Sequence, residues 1–78
     1  MKKIEILGTG CPKCNSLAAN VTKAVQETRQ AAEIIKIAEI KEMIARGVMV
    51  TPALLVDGKI VSQGKVLNVE QIKELLKG

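Results

Sequence analysis

Seventy-eight residues, 47% of them hydrophobic and 26% charged, are expected to form one small domain over 1–78, neither a disordered tail nor a low-complexity segment. The chain has no Phe, Trp or Tyr, which excludes a recognition surface built on stacked rings, and its 12 basic residues give a net charge of +4 without forming a stripe that could track a phosphate backbone. With no His and two Cys, sulfur and nitrogen side chains cannot close a four-ligand metal site, so any site chemistry has to centre on Cys11 and Cys14.

In chain order, Lys2 to Leu7 alternates, with Ile4 and Ile6 on one side and Lys3, Glu5 and Leu7 on the other, and then meets Gly8-Thr9-Gly10. That predicts a strand followed by a tight loop. From Pro12 onward Cys14, Leu17, Ala18, Val21, Ala24, Val25 and Thr28 recur at helical spacing, and Pro12 suits a first helical position because its missing N–H would have no partner there. A helix of four or five turns is predicted. Between Asn15 and Arg46 neither Gly nor Pro marks its end. Residues 33–38 are β-branched enough for a strand, which is the assignment made here, although Ile34, Ile37, Ile40 and Ile44 also fit one helical face. A short helix from Glu39 to Arg46 presenting Ile40, Met43 and Ile44 follows, capped by Gly47.

Ala53–Val56 and Lys59–Ser62 flank Asp57-Gly58, the signal of a type I′ hairpin turn. Asn68 and Gln71 have the spacing of a capping box, and Val69, Ile72, Leu75 and Leu76 form the stripe of a closing helix ended by Gly78. The predicted order is β-α-β-α-β-β-α, an α/β fold with a mixed four-stranded sheet and helices on both faces.

Cys11-Pro12-Lys13-Cys14 places one thiol at the mouth of the first helix and another a turn inside it on the same face. The first lies among unpaired N–H groups at the positive end of the helix dipole, which favours thiolate, and Lys13 adds a nearby positive charge. Cys11 is therefore the expected nucleophile. Cys14 belongs to the apolar stripe, where burial keeps a thiol protonated until a mixed disulfide forms, and is the expected resolving partner. A bridge closing so short a loop would add only about 2 kcal/mol as a staple, which argues against a purely structural role.

Three segments, Gly8 to Cys14, Gly47 to Ala53 and Val56 to Lys59, resemble the small prokaryotic thioredoxin-like proteins, also called redox-active disulfide proteins, and the similarity covers nearly the whole chain. The resemblance implies a thioredoxin-like fold, a cis peptide before Pro52, and pairing of the Thr51 backbone with the substrate chain. It also implies thiol–disulfide oxidoreductase activity without an external cofactor, in which Cys11 and Cys14 exchange with protein or small-molecule disulfides. A thioredoxin-reductase-type protein or a small thiol would restore the electrons. Two features depart from larger relatives: Pro12-Lys13 follows the glutaredoxin order, and Thr9-Gly10 replaces the aromatic residue thioredoxins carry before the first Cys.

Glu5 stands at the offset where thioredoxins carry a buried carboxylate near the resolving thiol, which makes it a candidate proton acceptor; the plainer expectation for a Glu alternating with Ile is an outward, solvated position. Met43 and Met49 are candidates for an adaptable groove beside the disulfide, with core filling as the plainer role. The rival function is a Cu(I) carrier, since heavy-metal-associated domains also place a C-x-x-C between a first strand and a first helix, but in the order β-α-β-β-α-β. A helical hairpin is a third reading, should residues 12 to 46 be continuously helical. No nucleic-acid or membrane partner is expected, no metal is assigned, and a cytoplasmic monomer is the default, because no run approaches the roughly 20 apolar residues of a membrane span and no leader opens the sequence.

Overall fold

Apolar alternation at the start of the chain produces a strand with two useful faces, and the rest of the molecule is arranged around it. A computed structural model describes residues 2–77. The elements are β1 (Lys2–Leu7), α1 (Pro12–Thr28), β2 (Ala32–Ile37), α2 (Ile40–Ala45), β3 (Ala53–Val56), β4 (Lys59–Gln63) and α3 (Val69–Lys77). They form one four-stranded sheet in the order β2-β1-β3-β4, with β1 parallel to β2 and antiparallel to β3, and β3 antiparallel to β4. The expected order and mixed sheet are therefore present. The closing helix, not a strand, completes the described chain, unlike the order of a heavy-metal-associated domain. Gly78, expected to end that helix, lies outside the described residues.

The two faces of β1 feed two cores. Ile4 and Ile6 join Leu54 beneath α1 and α3, where Leu17, Ala18, Val21, Ala24, Ile72 and Leu76 are buried. Leu7 faces the other way and joins Ala53, Leu55, Met43 and Val48 beneath α2. At about 25 cal/mol per Å² of apolar surface removed from water, the first and larger cluster is the main source of cohesion.

β2 settles the ambiguity of the isoleucines. In register with β1, Ile34 lies beside Ile4 and Ile37 beside Leu7. As strand residues they serve opposite faces and feed the two different cores; as helix residues they would have shared one face. The strand runs one residue earlier than expected, and the continuous helix over 12 to 46 is ruled out. α1 stops at Thr28 because Arg29 takes a left-handed conformation, φ 54°, and its N–H donates to the Gln26 carbonyl. Such a stop normally uses Gly, since a side chain there is disfavoured by about 1–2 kcal/mol. Nothing in composition announced it.

The hairpin follows its turn residues: Asp57 and Gly58 both have positive φ, 52° and 84°. Asp57 also ties the turn to β1, its Oδ1 accepting from the Lys3 N–H at 2.9 Å. The capping box of α3 is reciprocal, with the Gln71 N–H donating to Asn68 Oδ1 at 2.8 Å and the Asn68 N–H donating to Gln71 Oε1 at 3.0 Å. The short helix expected over Glu39 to Arg46 is present as α2. Only Met43 of its apolar stripe is buried; Ile40 and Ile44 are 65% and 70% exposed, because a six-residue helix over one corner of the sheet has no second layer to cover it.

Candidate active site

The end of β1 delivers the chain into Gly8-Thr9-Gly10, and the first turn of α1 follows at once. Gly10 adopts φ 85°, a conformation that turns the backbone into the helix without a side-chain penalty. Cys11 is the N-cap, with φ −68° and ψ 164°, and Pro12 is the first helical residue. The Asn15 side chain holds the loop by donating to the Gly10 carbonyl at 3.4 Å.

From these positions the two sulfurs stand 2.7 Å apart, and the Cys14 N–H donates to Cys11 Sγ at 3.4 Å. Cys11 is half-buried and Cys14 is buried. The Cys11 pKa lies below the usual thiol value, chiefly because the Cys14 thiol and then the Cys14 backbone N–H donate to its sulfur; the Lys13 backbone N–H acts in the same direction. For Lys13 it is this amide, at the open end of the helix, that lowers the value. Burial pushes the Cys14 thiol above the usual value, and its hydrogen bond to Cys11 adds to the rise. One fold thus shifts two identical side chains in opposite directions, the outer thiol down and the inner one up.

Gly8 has a role that the sequence reading missed. A Cβ built there would stand 2.2 Å from Cys14 Sγ, so only glycine lets the inner sulfur rest on the end of β1. The signal was the Gly-x-Gly pattern before the first Cys, read only as a loop.

Register places the third component. Leu7 pairs with Ala53, so the Thr51-Pro52 peptide just before Ala53 lies at the same end of the sheet as Gly8 and the thiols. That peptide is cis, as the resemblance implied. Pro52 is buried and Thr51 is exposed. Among the described residues, no hydrogen bond engages the backbone N–H or carbonyl of Thr51. Beside Thr51 opens an apolar groove of about 430 Å³ lined by Ile40, Ile44, Val48 and Met49. Met49 is 90% exposed on it, whereas Met43, which also lines it, is buried in the core beneath α2.

Glu5 is not the solvated residue that alternation suggested. It is 4% exposed, and its Oε2 accepts from Arg46 Nε at 2.7 Å. Arg46, at the C-cap of α2, also pairs with the Glu42 carboxylate. Two carboxylates hold the guanidinium charged, Glu42 contributing more than Glu5 to its raised pKa. Glu5 points to the α2 face, as its neighbours Leu55 and Leu7 do, while Cys14 belongs to the α1 face. Among the described residues no hydrogen bond joins Glu5 to either thiol.

A dithiol at the open end of the first helix, inner sulfur buried and outer sulfur ionisable, with a cis proline at the same sheet end, defines a thiol–disulfide oxidoreductase of the thioredoxin-like class. Comparison with known proteins agrees. The family described as "Thioredoxin domain" matches residues 2–77. A thioredoxin of Methanocaldococcus jannaschii is 52% identical over 77 residues, covering 99% of this chain and 88% of that protein. One from Methanothermobacter thermautotrophicus is 41% identical over 76 residues, covering 97% and 99% respectively. The chain belongs to the thioredoxin domain family.

Proposed function

We propose that this oxidoreductase works through Cys11 as nucleophile and Cys14 as resolving thiol. The Cys11 thiolate attacks one sulfur of a substrate disulfide; a Cys11–substrate bond forms, the substrate S–S bond breaks, and one substrate thiolate leaves. Cys14 then loses its proton and attacks Cys11 Sγ, which forms the Cys11–Cys14 disulfide and releases the second substrate thiolate. Two electrons pass from the dithiol to the substrate. A protein reductase of the thioredoxin-reductase type, or a small thiol, returns them.

The substrate is read as a protein disulfide presented on an extended segment. What supports this is Thr51, exposed and with free backbone hydrogen-bonding groups at the sheet end that also carries the thiols. An added strand can pair there. The adjoining groove of Ile40, Ile44 and Met49 suits an aliphatic side chain next to the substrate cysteine. A cytoplasmic monomer is the setting proposed, and no helix among the described residues is long and apolar enough to cross a membrane.

The observation that carries the mechanism is the arrangement of the two sulfurs: Cys11 Sγ, half-buried at the helix start, lies 2.7 Å from Cys14 Sγ and accepts from the Cys14 N–H, while Cys14 is buried, and the two thiol pKa values move in opposite directions accordingly. Thiolate is the reactive form, so a lowered pKa means that Cys11 keeps reacting as pH falls below the ordinary thiol range, near 8.5, and loses reactivity only on passing its own lower value. A raised pKa makes Cys14 unreactive until pH exceeds that range. Iodoacetamide labelling of the reduced protein against pH should therefore modify Cys11 selectively at neutral pH. Equal, slow labelling of both would remove the mechanism's basis. In parallel, Cys14→Ser should accumulate a Cys11 mixed disulfide with a protein substrate, because nothing is left to resolve it.

A further inference from the structure

Residues 49–51, which lead into the cis peptide, belong to no helix or strand, and all three are exposed. One side chain organises their backbone. Gln63 Oε1, at the end of β4, accepts from the Met49 N–H at 2.9 Å and from the Val50 N–H at 3.4 Å. An amide oxygen has two lone pairs and both are engaged, which also settles which way the amide faces, since its NH₂ end could accept neither bond. The next residue adds one tie, the Gly64 N–H donating to the Pro52 carbonyl at 2.8 Å, and it sits so close to Val50 that an added Cβ would approach Val50 Cγ1 to 2.8 Å. The segment is thus fastened to the end of β4 on both sides of Thr51, which itself makes no such bond.

We propose that Gln63 is a positioning residue for substrate docking. It holds the Met49-Val50 backbone so that the Thr51 N–H and carbonyl face outward in the geometry an incoming strand requires, and so that Met49 stays on the rim of the groove. This rests on the reading that the Thr51 edge receives the substrate. Gln63 bonds neither sulfur; Cys11 and Cys14 bond each other and the Cys14 amide. Its loss should therefore weaken docking of a protein chain while leaving thiol chemistry intact. A small disulfide, which needs no docking edge, should not sense it.

The test uses the full reduced chain and single-turnover rate constants toward insulin, as a protein disulfide, and toward 5,5′-dithiobis(2-nitrobenzoate), as a small one. Gln63→Ala should slow the insulin reaction about tenfold, the factor expected when docking loses about one ordinary hydrogen bond. The small disulfide rate and the pH profile of Cys11 alkylation should stay within about twofold of wild type, the spread that unchanged thiol chemistry allows. Gln63→Glu keeps an oxygen that can accept both bonds and should recover most of the insulin rate; mere loosening of the fold would not give that selective rescue. Equal slowing toward both disulfides, or none toward insulin, overturns the positioning role. Thr51→Pro, which removes the N–H of the docking edge, separates the two readings. If it slows insulin reduction and Gln63→Ala does not, only the role of Gln63 fails; if it leaves insulin reduction unchanged, the docking edge and Gln63 fail together.

Discussion

The helices on opposite faces of the sheet carry the same apolar spacing and make different use of it. In α3, Val69, Ile72 and Leu76 pack onto α1 and the sheet, and Ile72 and Leu76 are each 1% exposed. In α2, Ile40, Met43 and Ile44 follow the same three-and-four rhythm, yet two of the three are mostly in water. The difference lies in what covers them. α3 has α1 as a partner layer, whereas α2 caps a corner of the other face with nothing beyond it. Helical spacing reports a helix with an apolar side; it does not report whether that side meets a core or a substrate.

Mutations can break or sharpen this contrast. The largest effect is expected from Ile72→Ala on the α3 side, a loss of about 3 kcal/mol as core contacts are replaced by a cavity, read from the midpoint of urea unfolding. Arg46→Met, at the C-cap of α2, should lose somewhat less, about 2 kcal/mol, because it strands the Glu5 carboxylate in an apolar setting while the arginine itself is 28% exposed and only partly desolvated. Adding Glu5→Leu should recover most of that loss, since replacing both partners removes the orphaned charge. Asn68→Ala, which deletes the side-chain half of the capping box, should lower stability by about 1 kcal/mol. The smallest stability effect belongs to Ile44→Ser, within about 0.5 kcal/mol, together with slower reduction of a protein disulfide. A loss of 2 kcal/mol or more from Ile44→Ser would mean that α2 is covered after all, and the contrast between the faces would disappear.

Local chemistry made much of the architecture legible. Asn68 and Gln71 announced a helix start because both halves of the cap are three residues apart, and Asp57-Gly58 announced a hairpin because few pairs of residues adopt two positive φ values so readily. Cys11 and Cys14 were legible for the same reason: one helical turn brings them together, and the helix start differentiates them. The end of α1 was hidden, since Arg29 adopts the left-handed conformation normally left to Gly. Glu5 was misjudged as outward because its partner, Arg46, is 41 residues away. The hold of Gln63 on Met49 and Val50, spanning 14 and 13 residues, left no mark in spacing.

The amino-acid order alone determined what depends on neighbours within a turn or two: the first strand, the hairpin, the capped helix start, and a dithiol poised at the mouth of the first helix. Tertiary structure decided what depends on packing: which apolar stripes are covered, how a buried carboxylate is neutralised, and which side chain holds the edge beside the cis proline. The physical reason is range. Backbone sterics and helix-end hydrogen bonds act between residues close in the chain, whereas burial and charge pairing depend on surfaces that exist only once the sheet has brought distant segments together.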